Sequence, residues 1–277
     1  LKLLKQAPSH TPAYIILARI KGLQALPDRA VSYYEKALAI EPLNVLLQFE
    51  YIEYLFSIGK RDRMIEVADS VLKNETFNNE TDNHKIKTRI AILLSRVGEI
   101  DRGIAVLREI IAEKKADAHV WHELGMSYSG KGDFKNAFTA FNRSLALDSN
   151  NAKICSSMGN LLMTLYARTR DKRYLVKTIE YFTRAVKIDP QFAEAHTGLG
   201  SAYRFAGEKE KAIKAWQAAI RVNPGVINAY LALGTFYLET GQKQNARKTL
   251  NRCKELFYSK LKEPGRRRLD QLLQQAK

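Results

Sequence analysis

Cysteine is scarce in this chain, with two in 277 residues, and so are acidic side chains, with 29 Asp and Glu against 45 Lys and Arg. Two thiols are too few for a disulfide scaffold. Cys155 and Cys253 stand far apart in an apolar pattern, so both are read as free buried thiols acting as small hydrophobes, and no disulfide or metal site is expected of them. The shortage of acids leaves a formal charge of +16, which favours acidic proteins, nucleic acid or anionic surfaces as partners and says nothing of the fold. No apolar run approaches the length of a membrane span, and no charged-then-apolar leader opens the chain. The glycines fall singly, which excludes a phosphate-cradling loop, and no serine, cysteine or paired-carboxylate spacing stands out for catalysis. The chain is therefore read as a non-enzyme without a cofactor. Its 45% hydrophobic and 27% charged composition is that of a globular protein.

What the chain does have is one pattern used many times. Residues 193–224, AEAHTGLGSAYRFAGEKEKAIKAWQAAIRVNP, read as two short helices joined by a tight turn. Leu199, Gly200 and Tyr203 fall on one helical face, Gly207 suits the turn, and Ala212, Trp216 and Ala219 form a second stripe before Pro224 stops the helix. Shifted by 34, the template lands on Leu233, Gly234, Tyr237, Gly241 and Ala246. Started at Ala118, it lands on Trp121, Leu124, Gly125, Tyr128, Gly132, Ala137 and Phe141.

These residues resemble the 34-residue signature of tetratricopeptide repeat proteins. The resemblance covers nearly the whole chain and implies an all-α, right-handed solenoid of about seven helix-turn-helix repeats with a C-terminal capping helix, counted as one domain. The repeats are placed at 11–44, 45–83 (with a polar loop at its end), 84–117, 118–151, 152–192, 193–226 and 227–260, with the cap at 261–277. Repeat one lacks the turn glycine. The fifth repeat is seven residues too long, close to two helical turns, so a lengthened helix is expected to project residues 167–177 from the edge of the array while its apolar face stays in phase. The opening LKLLKQAP aligns with the end of a unit such as Lys36 to Pro42, so 1–10 is read as the end of a preceding repeat, with more sequence expected upstream. Asn74 and Asn79 begin two N-x-T sequons in the polar loop.

The resemblance also implies a concave surface lined by the first helix of each repeat. Carried over position by position, it is formed by Lys85, Arg89, Ile92 and Arg96, then His119, His122, Glu123 and Met126, then Ser156, Asn160 and Met163, and then Thr197, Ser201 and Arg204. The cations at one end would select an acidic protein or peptide segment. The carboxylate clamp of chaperone-binding relatives is absent, because Ser156, Gly198, Asn228 and Ala232 replace four of its five residues. HELGM, residues 122–126, is one residue short of a zinc-protease motif, and His119 and His122 have no evident third ligand. Residues 243–277 hold eleven Lys or Arg and three acids, and Arg266, Arg267 and Arg268 form the sharpest cluster. A nucleic-acid face is the alternative there, but aromatic side chains are not interleaved with it. Two other readings are an accessory region of a larger enzyme, since the closing repeats are loosely similar to arrays fused to bacterial sulfatase-like hydrolases, and self-association through exposed repeat ends.

Overall fold

The computed structural model describes residues 9–74 and 83–277. The expected end of a preceding repeat in 1–8 and the sequon positions 75–82 lie outside the described residues. Fifteen helices and no strand are present among those described. None of these helices is long and apolar enough to cross a membrane.

Two compact units divide the chain, Leu1–Gly132 and Asp133–Lys277. The first holds α1 (Thr11–Leu23), α2 (Pro27–Ile40), α3 (Val45–Ser57), α4 (Arg61–Leu72), α5 (Asn83–Arg96), α6 (Ile100–Ala112) and α7 (Ala118–Lys131). The second holds α8 (Phe134–Leu147), α9 (Ala152–Thr169), α10 (Lys172–Ile188), α11 (Ala193–Phe205), α12 (Lys209–Val222), α13 (Ile227–Glu239), α14 (Lys243–Phe257) and α15 (Glu263–Gln275). Within the units, α1 and α2, α3 and α4, α5 and α6, α9 and α10, α11 and α12, and α13 and α14 pack as hairpins, and α3 with α5, α5 with α7, α9 with α11, α11 with α13 and α13 with α15 also touch.

Local chemistry sets the helix ends. Asn44, Asp117, Asp133, Asn151 and Asp171 each accept a backbone N–H of the first helical turn on their side-chain oxygen. The turns inside the hairpins need one left-handed residue, which Gly59, Gly98, Gly207 and Gly241 supply at φ between +73° and +95°. Repeat one, which lacks that glycine, forces Ala25 to φ +55°, and the long repeat does the same with Arg170 at φ +57°.

Aromatic side chains fill both cores. In the first unit Tyr34 stacks on Tyr51 at 5.2 Å between ring centres and meets Tyr54 at 5.3 Å. In the second, Trp216 is buried, its indole N–H donates to the Thr197 carbonyl at 3.1 Å, and its ring meets Phe236 at 5.4 Å. Burying each ring contributes about 1.5–3 kcal/mol, and the repeat glycines make room for it. A Cβ on Gly200 would sit 2.6 Å from the Trp216 indole nitrogen. Leu269 of α15 is fully buried against Tyr230, Leu250, Cys253 and Phe257, so the last helix covers the open end of the core as a cap should. Cys155 and Cys253 are free and buried.

The long repeat differs from the expectation of one stretched helix. Helix α9 has 18 residues and α10 has 17, against 13 and 14 in α11 and α12, so both helices share the extension. Its tip, residues 167–170, is exposed, yet its flanks are tied down. Tyr166 makes an edge contact with Phe205 at 5.7 Å, Arg168 lies 4.6 Å over the Phe134 ring, and Leu175 is buried.

Candidate functional site

In the first unit, α3, α5 and α7 supply the inner positions. Arg89 of α5 pairs with Glu53 of α3, and Arg19 of α1 grips Glu50 of α3 with two hydrogen bonds of 2.7 and 2.5 Å. Arg19 first, then the Tyr34 hydroxyl, hold the Glu50 carboxyl below the usual carboxylate range against its own desolvation. Arg96 is exposed and makes no ion pair among the described residues. It lines a cavity of about 210 Å³ with Ile92, Ser95, Glu123, Met126 and Ser127, and Met126 is 46% exposed there.

Three residues of this set depart from the expected groove lining or were missed. His122 was expected to face the ligand but is 2% exposed, folded against Glu123 with Nδ1 3.1 Å from Oε1. Lys87, two residues beyond the solvent-exposed Lys85, is fully buried, and its ammonium donates to Glu109 at 3.0 Å and Glu113 at 3.2 Å. Glu53, which neutralises Arg89, lies outside the expected groove positions.

In the second unit, α9, α11 and α13 frame a larger cavity of about 390 Å³. Asn160 and Ser201, both expected in the groove, line it together with Met163, Phe182, Thr197 and Asn228. The hydroxyls of Thr197 and Ser201 donate back to the carbonyls of Ala193 and Thr197, so toward the cavity they offer oxygen lone pairs. The Asn160 and Asn228 side-chain amides have no hydrogen-bond partner among the described residues. Arg204 stands apart from this cavity, bound to Glu239 of α13 at 2.9 and 2.5 Å.

Gly198 explains the missing clamp asparagine. A Cβ at this position would lie 2.4 Å from the Phe182 ring, and one at Gly159 would lie 3.1 Å from it. The ring of the second helix fills the space a recognition side chain would need.

The basic C-terminal cluster is divided by its contacts. Arg266 donates to the carbonyls of Tyr258 at 2.9 Å and Ser259 at 3.1 Å and lies over the Tyr258 ring, Arg267 pairs with Glu263, and Arg268 is exposed. Only part of the triplet is therefore open to a phosphate backbone.

Comparison with known proteins decides the repeat type. Models described as tetratricopeptide repeat match residues 11–42, 118–151 and 197–256. These segments match the tetratricopeptide repeat. The chain is 15% identical to a solved repeat protein from Parabacteroides merdae, covering 96% of this chain and 98% of that one at a TM-score of 0.66. It is 20% identical to YrrB, a tetratricopeptide protein with an unusual peptide-binding site, covering 71% and 97% at a TM-score of 0.51. The BBSome complex member BBS4 of Bos taurus is 21% identical over 210 residues, 75% of this chain and 38% of its own length. The chain thus spans well under half of that curated relative. The resemblance to hydrolase-fused arrays has no support among these relatives.

Proposed function

We propose that this chain is a non-catalytic scaffold that holds a peptide or protein segment on the inner helices of its tetratricopeptide repeats. The observation that carries the reading is the cavity of the second unit. There the unpartnered amides of Asn160 and Asn228 line the cavity beside Met163, Phe182 and the carboxylate of Glu194. Such amides suit the backbone of an extended peptide, each offering a donor and an acceptor. YrrB, which has a peptide-binding site, supports the same use of this fold.

The preference for an acidic segment rests on fewer cations than the sequence offered. Arg89 and Arg204 are already matched by Glu53 and Glu239, so in the first unit's cavity it is Arg96 that would attract a carboxylate.

The test is capture of partners from lysate of the source organism, with and without nuclease, followed by binding of the captured segment to Asn160→Ala/Asn228→Ala. Each lost hydrogen bond is worth about 0.5–1.5 kcal/mol, so the double variant should bind roughly 5- to 150-fold more weakly with unchanged helicity. Full retention by that variant would remove the groove reading. Loss of all partners on nuclease treatment would point instead to nucleic acid on the basic C-terminal segment.

A further inference from the structure

We propose that α7 carries a binding site for a divalent transition-metal ion, formed by His119, His122 and Glu123. The three residues occupy places i, i+3 and i+4 of one helix and so share a face. The two histidines are visible in the sequence, but the third donor emerges only from the fold. Glu123 Oε1 lies 3.1 Å from Nδ1 of His122 and 3.7 Å from Nδ1 of His119, and the three donor atoms all lie within 4.8 Å of one another.

The distances suit a shared ion. In a regular tetrahedron with metal–ligand bonds of 2.0–2.1 Å, neighbouring donor atoms are about 3.4 Å apart. The two separations to Glu123 bracket that value, and the gap between the imidazole nitrogens is at most 4.8 Å. His119 is free to close it, because its side chain is 52% exposed, whereas His122 at 3% is held in place. Glu123 also lines the 210 Å³ cavity, which gives an ion a path from solvent to a site whose central histidine is covered.

The donor set selects the ion class. Two imidazole nitrogens and one carboxylate oxygen suit Zn²⁺ and its late first-row neighbours, whereas Ca²⁺ and Mg²⁺ prefer all-oxygen shells. Three protein ligands leave a coordination position for water or a partner group, unlike a closed four-ligand structural site. Binding uses the Nδ1 lone pairs, any proton on Nδ1 is released to solvent, and each imidazole keeps its proton on Nε2. Arg96 shares the cavity and its charge works against the ion, which lowers the affinity. The competing account is purely structural, with Glu123 accepting a hydrogen bond from His122 and nothing more. It predicts no metal binding that depends on His119.

The experiment uses the full chain without an affinity tag and Zn²⁺ as titrant in calorimetry, with Co²⁺ absorption as a second readout of coordination. One ion per chain is expected. His119→Ala and Glu123→Gln should each weaken binding by at least the roughly 10- to 100-fold that even an outer-shell partner is worth, with unchanged circular dichroism. Cu²⁺ should give an electron paramagnetic resonance signal with nitrogen couplings in the native chain that His119→Ala reduces. The proposal fails if Zn²⁺ shows no binding up to about 1 mM, a free energy near −4 kcal/mol. It also fails if both variants bind with native affinity and stoichiometry, which would assign the ion to His10, His84, His196 or the thiols.

Discussion

Replacing Gly198 by alanine tests whether Phe182 occupies the place of a recognition residue. The Phe182 ring is 1% exposed, and two of its atoms would lie 2.4 Å from the new Cβ, where ordinary contact begins near 3.4 Å. The ring must therefore retreat by about 1 Å inside a close-packed core, and overpacking of this kind costs about 1–3 kcal/mol. Alanine in place of glycine returns about 1 kcal/mol of helix propensity, which leaves a net destabilisation of about 0–2 kcal/mol. Gly159→Ala is the built-in control. There the Cβ stands 3.1 Å from the same ring, so a shift of a few tenths of an ångström suffices and the propensity gain of about 1 kcal/mol roughly cancels the cost. Denaturant titration followed by circular dichroism measures both. In the double variant Gly198→Ala/Phe182→Leu the two changes should be less harmful together than their sum, a coupling of about 1 kcal/mol or more. A Gly198→Ala protein more stable than the native one, or a strictly additive double variant, would refute the reasoning.

Further outcomes follow from the same geometry. Ala25→Gly should raise the stability of the first unit by about 1 kcal/mol in thermal or chemical unfolding, since Ala25 sits at φ +55° where glycine has no steric penalty. Burial pushes the Cys253 thiol up to about 11, and burial first, with the Asp148 charge, also raises Cys155, so neither should react with a maleimide at neutral pH until denaturant is added. Burial, chiefly, pushes Tyr51 up to about 12 and also raises Tyr34. The folded state keeps phenol protons that the unfolded chain sheds above about pH 10. The stability of the first unit should therefore hold below pH 10 and fall from there toward pH 12, with a shallower fall in Tyr51→Phe. Arg266→Ala should loosen the cap by about 1 kcal/mol by leaving the Tyr258 and Ser259 carbonyls without their donor, while Arg268→Ala should leave melting unchanged.

The repeats were legible because packing two helices at close range demands the same small and large residues every time, and Leu199, Gly200 and Trp216 announce that demand in linear order. The cap at 263–275 was legible for a related reason, one apolar stripe on an otherwise polar helix. The long repeat was half legible. Its excess of seven showed the extension, but its division between α9 and α10 depends on where the chain turns, and Arg170 carries none of the usual turn chemistry. The site was harder. His122 stands at a position that faces the ligand in the signature, and its burial depends on how its ring folds onto Glu123. Lys87 was invisible because its partners Glu109 and Glu113 lie 22 and 26 residues away, on α6 and at its C-cap. A usable signal did exist for the neutralised cations. Arg19 and Glu50, Glu53 and Arg89, and Arg204 and Glu239 are 31, 36 and 35 residues apart, close to one repeat period.

Those period-spaced pairs also limit how the array can be edited by recombination. Arrays of this kind grow and shrink by gaining or losing whole units, which is harmless if every unit presents the same edge to its neighbours. Here the edges differ. In-phase loss of residues 45–83 would bring Arg89 into the register that Glu50 now holds, opposite Arg19. Two guanidinium groups would face each other, and the Tyr34 hydroxyl, which now donates to Glu50 at 2.8 Å, would lose its acceptor. The repeats joined by these pairs are thus keyed rather than interchangeable.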